Sequence, residues 1–402
     1  MDHSLTRSRS TDGVYNFALD ATQSVIETER EVPMQEVIAA VRQFISREIA
    51  PRAAEVDRTG QLPDGLWRKM SEQGLAGLVV PEHWGGSNAD LATFAACLEA
   101  LGGACASTAW ILLAHCASAR AILAAGSDAQ KDRLLPALAS GRLLGSAMAA
   151  TEAGGGSNTT GIRTRARREA EDWVLDGSKE FITLSGLADV FVLMARTGEA
   201  PTSLACFLVE KGDGGFTFGR REEMLGLRGV PVGGLSLAGC RLGGDRLLGG
   251  ETGALAVMGA FGPWGLVGAA SAAVGIAVAA LEDAASYVNE RVVAGTRLAT
   301  LLGVQAIVGD LRMETSGARA LIAQGIREID GKKGPPLPLF MAKLSATESA
   351  VRVVDRCLAL HGAAGYSRAL PVERRVRDVR AFTIHWGNNE VLRDTIRKAS
   401  LS

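Results

Sequence analysis

The alternation of apolar and polar residues changes period twice along the chain. From Val32 to about Gly145, apolar residues recur at three- and four-residue spacing, as in EVIAAVRQFISREIAPRAAEV and DLATFAACLEALGGACASTAWILLAH. This is the pattern of helices that bury one face. Two segments punctuate it. GLAGLVVPEHWGG places a Gly and Pro turn after an apolar stretch, and GSDAQKDRLLPALASG opens with Ser127 and Asp128, residue types that cap the free N–H groups of a helix start. From Ala147 to about Gly250 the texture becomes short alternating runs, DWVLDGSKEFITL, ADVFVLMART, TSLACFLVE and GGLSLAGCRL, separated by Gly and Asp turns. These predict strands at the spacing of a small barrel or sandwich. After Glu251 helical periodicity returns and persists to Arg397, with a break at GKKGPPLP, residues 331–338.

The predicted order is therefore α, then β, then α, with no internal repeat. It divides the chain into an extension at 1–31, a helical region at 32–146, a strand region at 147–250 and a second helical region at 251–402. The opening segment MDHSLTRSRSTDGVYNFALDATQS lacks the apolar core of a signal peptide and is expected to be mobile. Residues 252–281 carry no charge and are long enough to span a membrane. The glycines and Pro263 inside that stretch, and Glu282 and Asp283 after it, fit a helix buried in a protein core better.

Composition narrows the function classes. A chain of 402 residues that is 47% hydrophobic can bury a large core. Its net charge of −1 supplies no field that would favour nucleic acid or an anionic membrane. Six cysteines are scattered without metal-binding spacing, so they read as buried thiols of a reducing, cytoplasmic protein, and no metal site is expected.

The richest segment is HGAAGYSRALPVERRVRDVRAFTIHWGNNE, residues 361–390. It resembles the C-terminal signature of acyl-CoA dehydrogenases, with Gly362, Gly365, Tyr366, Pro371, Glu373, Arg374, Arg377, Asp378 and Gly387 in step. GLAGLVVPEHWGG, ACASTAWILLAH, the Gln130 and Lys131 pair, MAATEAGGGSN, KEFIT and ERVVAGTRLATLLGVQ extend the resemblance over nearly all of 32–398. It implies an α+β fold: an N-terminal helical domain, a central β-barrel and a C-terminal four-helix bundle, with FAD as cofactor.

By the same resemblance, Thr151 faces the isoalloxazine, and Gly156 and Ser157 belong to a loop that approaches the pyrophosphate. Phe181 and Thr183 supply a stacking face and a hydroxyl near the reactive edge of the flavin. Arg291 would reach the FAD diphosphate of a neighbouring subunit, with Gly362 and Gly365 in a turn contributed the same way, so a homodimer or homotetramer is implied. Val293, Ala294, Leu302 and Ala359 depart from the family pattern at the adenine end.

The departure that matters most is Trp386. The family's usual base, a glutamate, precedes the Gly of this turn, and here that residue is an indole. A minority of members place the glutamate near the start of the first C-terminal helix, around Gly265 here, and no Asp or Glu occurs between Glu251 and Glu282. Backbone N–H at Trp386 remains able to polarise a carbonyl, before Gly387. His385 is the nearest replacement base. Asp378 is expected to pair with a nearby arginine, Glu390 to start a helix, and His115 and His361 to be structural or close to the cofactor.

These residues leave several readings. One is FAD-dependent oxidation of an acyl thioester, linked to CoA or to an acyl carrier protein, by decarboxylation or desulfination, or by monooxygenation through a flavin hydroperoxide. Another is ordinary α,β-dehydrogenation with His385 as a displaced base and an electron-transfer flavoprotein as acceptor. A third is a flavin- or acyl-binding homologue without activity. Trp386 suggests a short or unusually placed acyl group, and Leu227, Val230 and Val232 suggest another altered wall.

Overall fold

A computed structural model describes residues 31–155, 159–329 and 337–401. The expected extension at 1–31 lies almost wholly outside them, as do Gly156 and Ser157 of the pyrophosphate loop. The first region is helical: α1 (Glu31–Phe44), α2 (Ala53–Thr59), α3 (Leu66–Glu72), α4 (Leu91–Ala104), α5 (Ala106–Ala125) and α6 (Asp128–Ala139). Ser127 caps α6 in a full capping box with Gln130, as its sequence predicts. Gln130 then reaches the central domain, donating to the carbonyls of Asp245 at 2.6 Å and Leu247 at 2.9 Å.

Eight strands follow: β1 (Gly145–Ala149), β2 (Arg165–Glu169), β3 (Asp172–Thr183), β4 (Val190–Arg196), β5 (Leu204–Glu210), β6 (Phe216–Arg221), β7 (Val232–Gly243) and β8 (Leu247–Leu248). Their hydrogen-bonded order is β6-β7-β3-β2-β4-β5-β8, with β1 pairing β4 in parallel. The barrel of the sequence reading is thus a sheet whose path among the described residues does not return to its first strand. β4 and β5 are buried along nearly their whole length, which explains their continuous rather than alternating apolar sequence. All six cysteines are free and buried.

The last region begins with α7 (Ala254–Glu290), followed by the small ribbon of β9 (Val292–Val293) and β10 (Thr296–Arg297). Then come α8 (Leu302–Arg327), α9 (Leu337–His361), α10 (Pro371–Ala381) and α11 (Asn389–Leu401). α7 and α5 are long and apolar enough to cross a membrane, but most of the apolar window of each is buried inside the protein. The uncharged stretch at 252–281 is therefore the central core helix, packed on α4, α5, α8 and α9. Its small residues let backbones meet. A Cβ on Gly275 would lie 1.9 Å from the Glu99 carbonyl oxygen of α4, and one on Gly102 would lie 2.3 Å from that of Ala272. Larger side chains there would push the two helices apart.

Candidate active site

β3 carries the first half of the site. Its pairing with β7 shifts register between Lys179 and Ile182, and within that bulge Phe181 adopts φ 54°. A bulge re-aims a side chain, and Phe181 is 50% exposed on a strand whose neighbours Ile182 and Lys179 are buried. Thr183 follows, half-buried. Its hydroxyl accepts from Trp110 Nε1 at 3.4 Å, and its carbonyl accepts from the Ser146 hydroxyl at 2.7 Å. Thr151 is joined to the same bulge, its carbonyl accepting from the Glu180 N–H at 3.0 Å.

A buried ion pair pins this corner. Lys179, fully buried, donates to Glu152 at 2.7 Å, and Glu152 also accepts from the Thr164 hydroxyl at 2.5 Å and from the N–H groups of Arg163 and Thr164. Burial alone would raise the Glu152 carboxyl, but these donors outweigh it and hold it ionised, down to about 2.

The second half is the turn between α10 and α11. Ile384 and His385 N–H groups both fold back on the Ala381 carbonyl, and Asn389 N–H closes the loop on Thr383. Trp386 sits at φ 54° and Gly387 at φ 89°. The Trp386 N–H has no hydrogen-bond partner among the described residues. Trp110 of α5 joins the halves: besides touching Thr183, its ring lies 4.9 Å from Phe382, 5.3 Å from His385 and 6.5 Å from Trp386.

The Trp386 indole lies against Gly265 of α7, where an added Cβ would stand 2.6 Å from Cε3. One side chain therefore fills both places at which the resemblance looks for a carboxylate. His385 is half-buried, and its ring nitrogens have no hydrogen-bond partner among the described residues. Burial, and then the charge of Lys343, hold its imidazole below the ordinary value, so it is neutral near pH 7.

Lys343 of α9 is fully buried beneath this turn. Its ammonium donates to the Gly387 carbonyl and, at 2.9 Å, to Asn389 Oδ1. Sequence reading did not single it out, nor Glu152, Lys179 and Trp110 within otherwise quoted motifs. A charged residue on the apolar side of a helical repeat was the available signal for Lys343.

Asp378, expected to pair with an arginine, makes no ion pair among the described residues. It faces inward and accepts the Leu227 N–H at 2.6 Å, while its neighbour Arg377 faces Asp57 and Glu373 and pairs with both. Burial pushes the Asp378 carboxyl up to about 6. Leu227, Val230 and Val232 are all buried, and Val232 is the β7 partner of Thr183. Glu390 lies in the first turn of α11 and pairs with Arg393. His115 and His361 are structural. His115 accepts Gly145 N–H on one ring nitrogen and bonds Ala76 O through the other, and His361 bonds Cys357 O.

Arg291, Gly362 and Gly365 stand apart. Arg291 ends α7, 26 residues beyond Gly265, or about 39 Å at 1.5 Å per residue. The 4.7 Å contact of Tyr287 with His361 places Gly362 at that same end. A cavity of about 690 Å³ between the N-terminal helices and the sheet, lined by residues including Trp67, Arg142 and Arg221, contains none of the site residues named above.

The N-terminal, middle and C-terminal domain models of acyl-CoA dehydrogenases match residues 34–142, 147–240 and 252–401. The chain is 35% identical over 357 residues to cyclohex-1-ene-1-carbonyl-CoA dehydrogenase of Syntrophus aciditrophicus, covering 88% of this chain and 86% of that one. Butyryl-CoA dehydrogenase of Megasphaera elsdenii superposes with TM-score 0.89 at 28% identity, over 94% of this chain and 100% of the other. A glutaryl-CoA dehydrogenase of Mycobacterium smegmatis, solved with FADH2, gives TM-score 0.86 at 25% identity, over 91% and 94%.

The chain belongs to the acyl-CoA dehydrogenase family and is an oxidoreductase whose cofactor is FAD. The residues present fit that cofactor. The bulge holds an aromatic ring outward, and the hydroxyl beside it, which among the described residues accepts from Trp110 and donates to none, keeps its own proton free to donate.

Proposed function

We propose that this protein oxidises an acyl thioester, carried by CoA or by a carrier protein, through chemistry that takes no α-proton with a carboxylate. The interlock of Trp386 with Gly265 carries this reading, because it fills with indole the space that a base would need. Two reaction types suit such a site. Decarboxylation or desulfination leaves its own electron pair on the substrate, and monooxygenation attacks a substrate that is already electron-rich.

The chain's own residues then have defined tasks. The unpartnered Trp386 N–H polarises the thioester carbonyl, and the indole excludes water and shortens the acyl space. Phe181 and Thr151 hold the isoalloxazine, and the Thr183 hydroxyl donates to its reactive edge. FAD, when bound, supplies the two-electron redox chemistry.

A second copy of the chain completes the cofactor site. Arg291 and the turn at Gly362 and Gly365 are about 39 Å along α7 from Gly265, too far to share a cofactor with Thr183 within one chain. Around them Val292, Val293, Leu302 and Tyr366 are exposed, as an unpaired interface would leave them.

The test is anaerobic reduction of the purified flavoprotein followed by stopped-flow mixing with oxygen. A transient distinct from both the reduced and oxidised spectra is expected for the oxygenase arm. Single-phase, slow reoxidation removes the oxygenase arm and favours an electron-transfer flavoprotein as acceptor, which leaves the decarboxylative arm to be separated from dehydrogenation with His385 as base by the substrate oxidised. Desaturation of a plain saturated thioester by the unmodified enzyme overturns the proposal. It would instead favour the second reading, α,β-dehydrogenation with His385 as base, for which the neutral, unpartnered imidazole speaks.

A further inference from the structure

Lys343 is a charged group built into the floor of the Trp386 turn, where its ammonium donates to the Gly387 carbonyl and to Asn389 Oδ1. Its ammonium is fully buried and, among the described residues, has no carboxylate within ion-pair range. Burying an unpaired ammonium costs several kcal/mol in general. A tie to the Gly387 carbonyl alone asks only for a hydrogen-bond donor, which a neutral amide supplies without that cost. The positive charge therefore has a use beyond holding the turn.

We propose that Lys343 is a positioning residue for the reaction: by holding the Gly387 carbonyl it fixes the Trp386 N–H toward the thioester, and its charge strengthens the polarisation of the substrate carbonyl. This rests on the thioester reading above. Loss of CO2 from a carboxylate, or of SO2 from a sulfinate, on the α-carbon of a thioester leaves the bonding electron pair behind as an enolate, with negative charge on the carbonyl oxygen; in the oxygenase arm the same enolate is the electron-rich form that attacks the electrophilic oxygen. A fixed cation behind the N–H donor stabilises that charge in a site from which water is excluded. Since carbonyl polarisation would depend on a proton held by the lysine, it also becomes pH-dependent.

The groups facing the ammonium are few. On α9, Glu348 lies one turn away and is engaged by Arg393 of α11. Across the turn stands His385, whose imidazole feels the lysine's charge. Asn389 and Thr347 are neutral and hydrogen-bonded to each other, and Leu266 of α7 and Leu392 of α11, both apolar, pack on Gly387, whose carbonyl the ammonium holds. With burial dominant and Glu348 acting the other way, the ammonium is pushed down to about 7, so it loses its proton within the working range of an enzyme.

Infrared spectroscopy of butanoyl-CoA carrying a 13C carbonyl, bound to the FAD-loaded protein, measures the polarisation. Binding at about pH 6 should lower the carbonyl stretch, and the downshift should fade in the unmodified protein by about pH 9. Lys343→Met should show only the smaller, pH-independent downshift left by the Trp386 N–H, while Lys343→Arg should retain part of the extra downshift. Titration of 13C-labelled His385 without substrate is the companion readout, and the imidazole should titrate at higher pH in Lys343→Met. The pH series on unmodified protein keeps the test valid if the methionine variant folds poorly. A downshift insensitive to pH, with His385 unmoved, overturns the role of Lys343 and leaves the thioester reading standing. Absence of binding both by butanoyl-CoA and by a butanoyl carrier protein with the same 13C label, with His385 shifted as expected, overturns the thioester reading and with it the polarising role, and leaves only the lysine's charge on the turn.

Discussion

Trp386 and Gly265 are complementary in shape: an added Cβ on the glycine would meet Cε3 of the indole at 2.6 Å and Cζ3 at 3.0 Å. The residue that displaces the expected base thus depends on the absence of a side chain at the alternative position. Gly265→Ala should force the indole to move and destabilise the fold by roughly 1–3 kcal/mol, the usual cost of overpacking. With Trp386→Ala in the same chain much of that penalty should vanish. A double-mutant cycle by chemical denaturation measures the coupling, and additive effects would mean that the two residues do not interlock.

Thr183→Ala should slow flavin reduction strongly while leaving stability within about 1 kcal/mol. Among the described residues its hydroxyl makes one long contact, from Trp110 at 3.4 Å, so the proposed role at the flavin, and not the packing of the fold, is what the substitution removes. Thermal melts and anaerobic reduction kinetics on the same preparation separate the two effects. Unchanged reduction would remove the hydroxyl from the flavin edge.

Glu152→Gln leaves Lys179 buried without its acid, a change that in general costs about 3–5 kcal/mol. Because the same pair braces the strand that carries Phe181, FAD affinity should fall alongside stability. Fluorescence titration of the apoprotein with FAD checks this. A variant that is destabilised but binds FAD as before would confine the pair to a purely structural role.

Asp378 should give the protein an unusual pH profile. Its folded-state pKa lies near 6, above the ordinary 3.8, so its contribution to stability is fully present below about pH 4 and is lost as pH rises through about 6. The difference is on the order of 3 kcal/mol. Asp378→Asn keeps an oxygen for the Leu227 N–H and removes the titration. Unfolding free energies measured across pH 4–8 should flatten in that interval, and identical slopes in the two proteins would show that Asp378 does not titrate there.

Much of the fold was legible because periodicity records burial. The change from 3.6-residue to 2-residue spacing near Ala147 and back near Glu251 marks the two ends of the sheet region. Ser127 marks a helix start because capping is local chemistry. Burial of α7 was readable from the glycines that let Gly275 meet Glu99. Relationships between distant segments were not readable. Nothing local in the sequence says that Trp386 rests on Gly265, that Trp110 joins Thr183 to His385, or that Lys343 lies beneath Gly387. Asp378 was misread for the same reason: a one-residue difference on α10 decides whether a side chain faces Asp57, as Arg377 does, or the Leu227 N–H.

Exchange of α-hydrogens tests the central claim most directly. A saturated acyl-CoA bound to the oxidised enzyme in D2O exchanges its α-protons only if a base can reach them, and mass spectrometry of the recovered thioester counts the deuterium. The unmodified protein should incorporate none above the rate in buffer, whereas Trp386→Glu should exchange roughly 10²-fold faster or more, the usual contribution of a positioned base. Rapid exchange by the unmodified protein would contradict the account, and its loss in His385→Gln would place the base at His385.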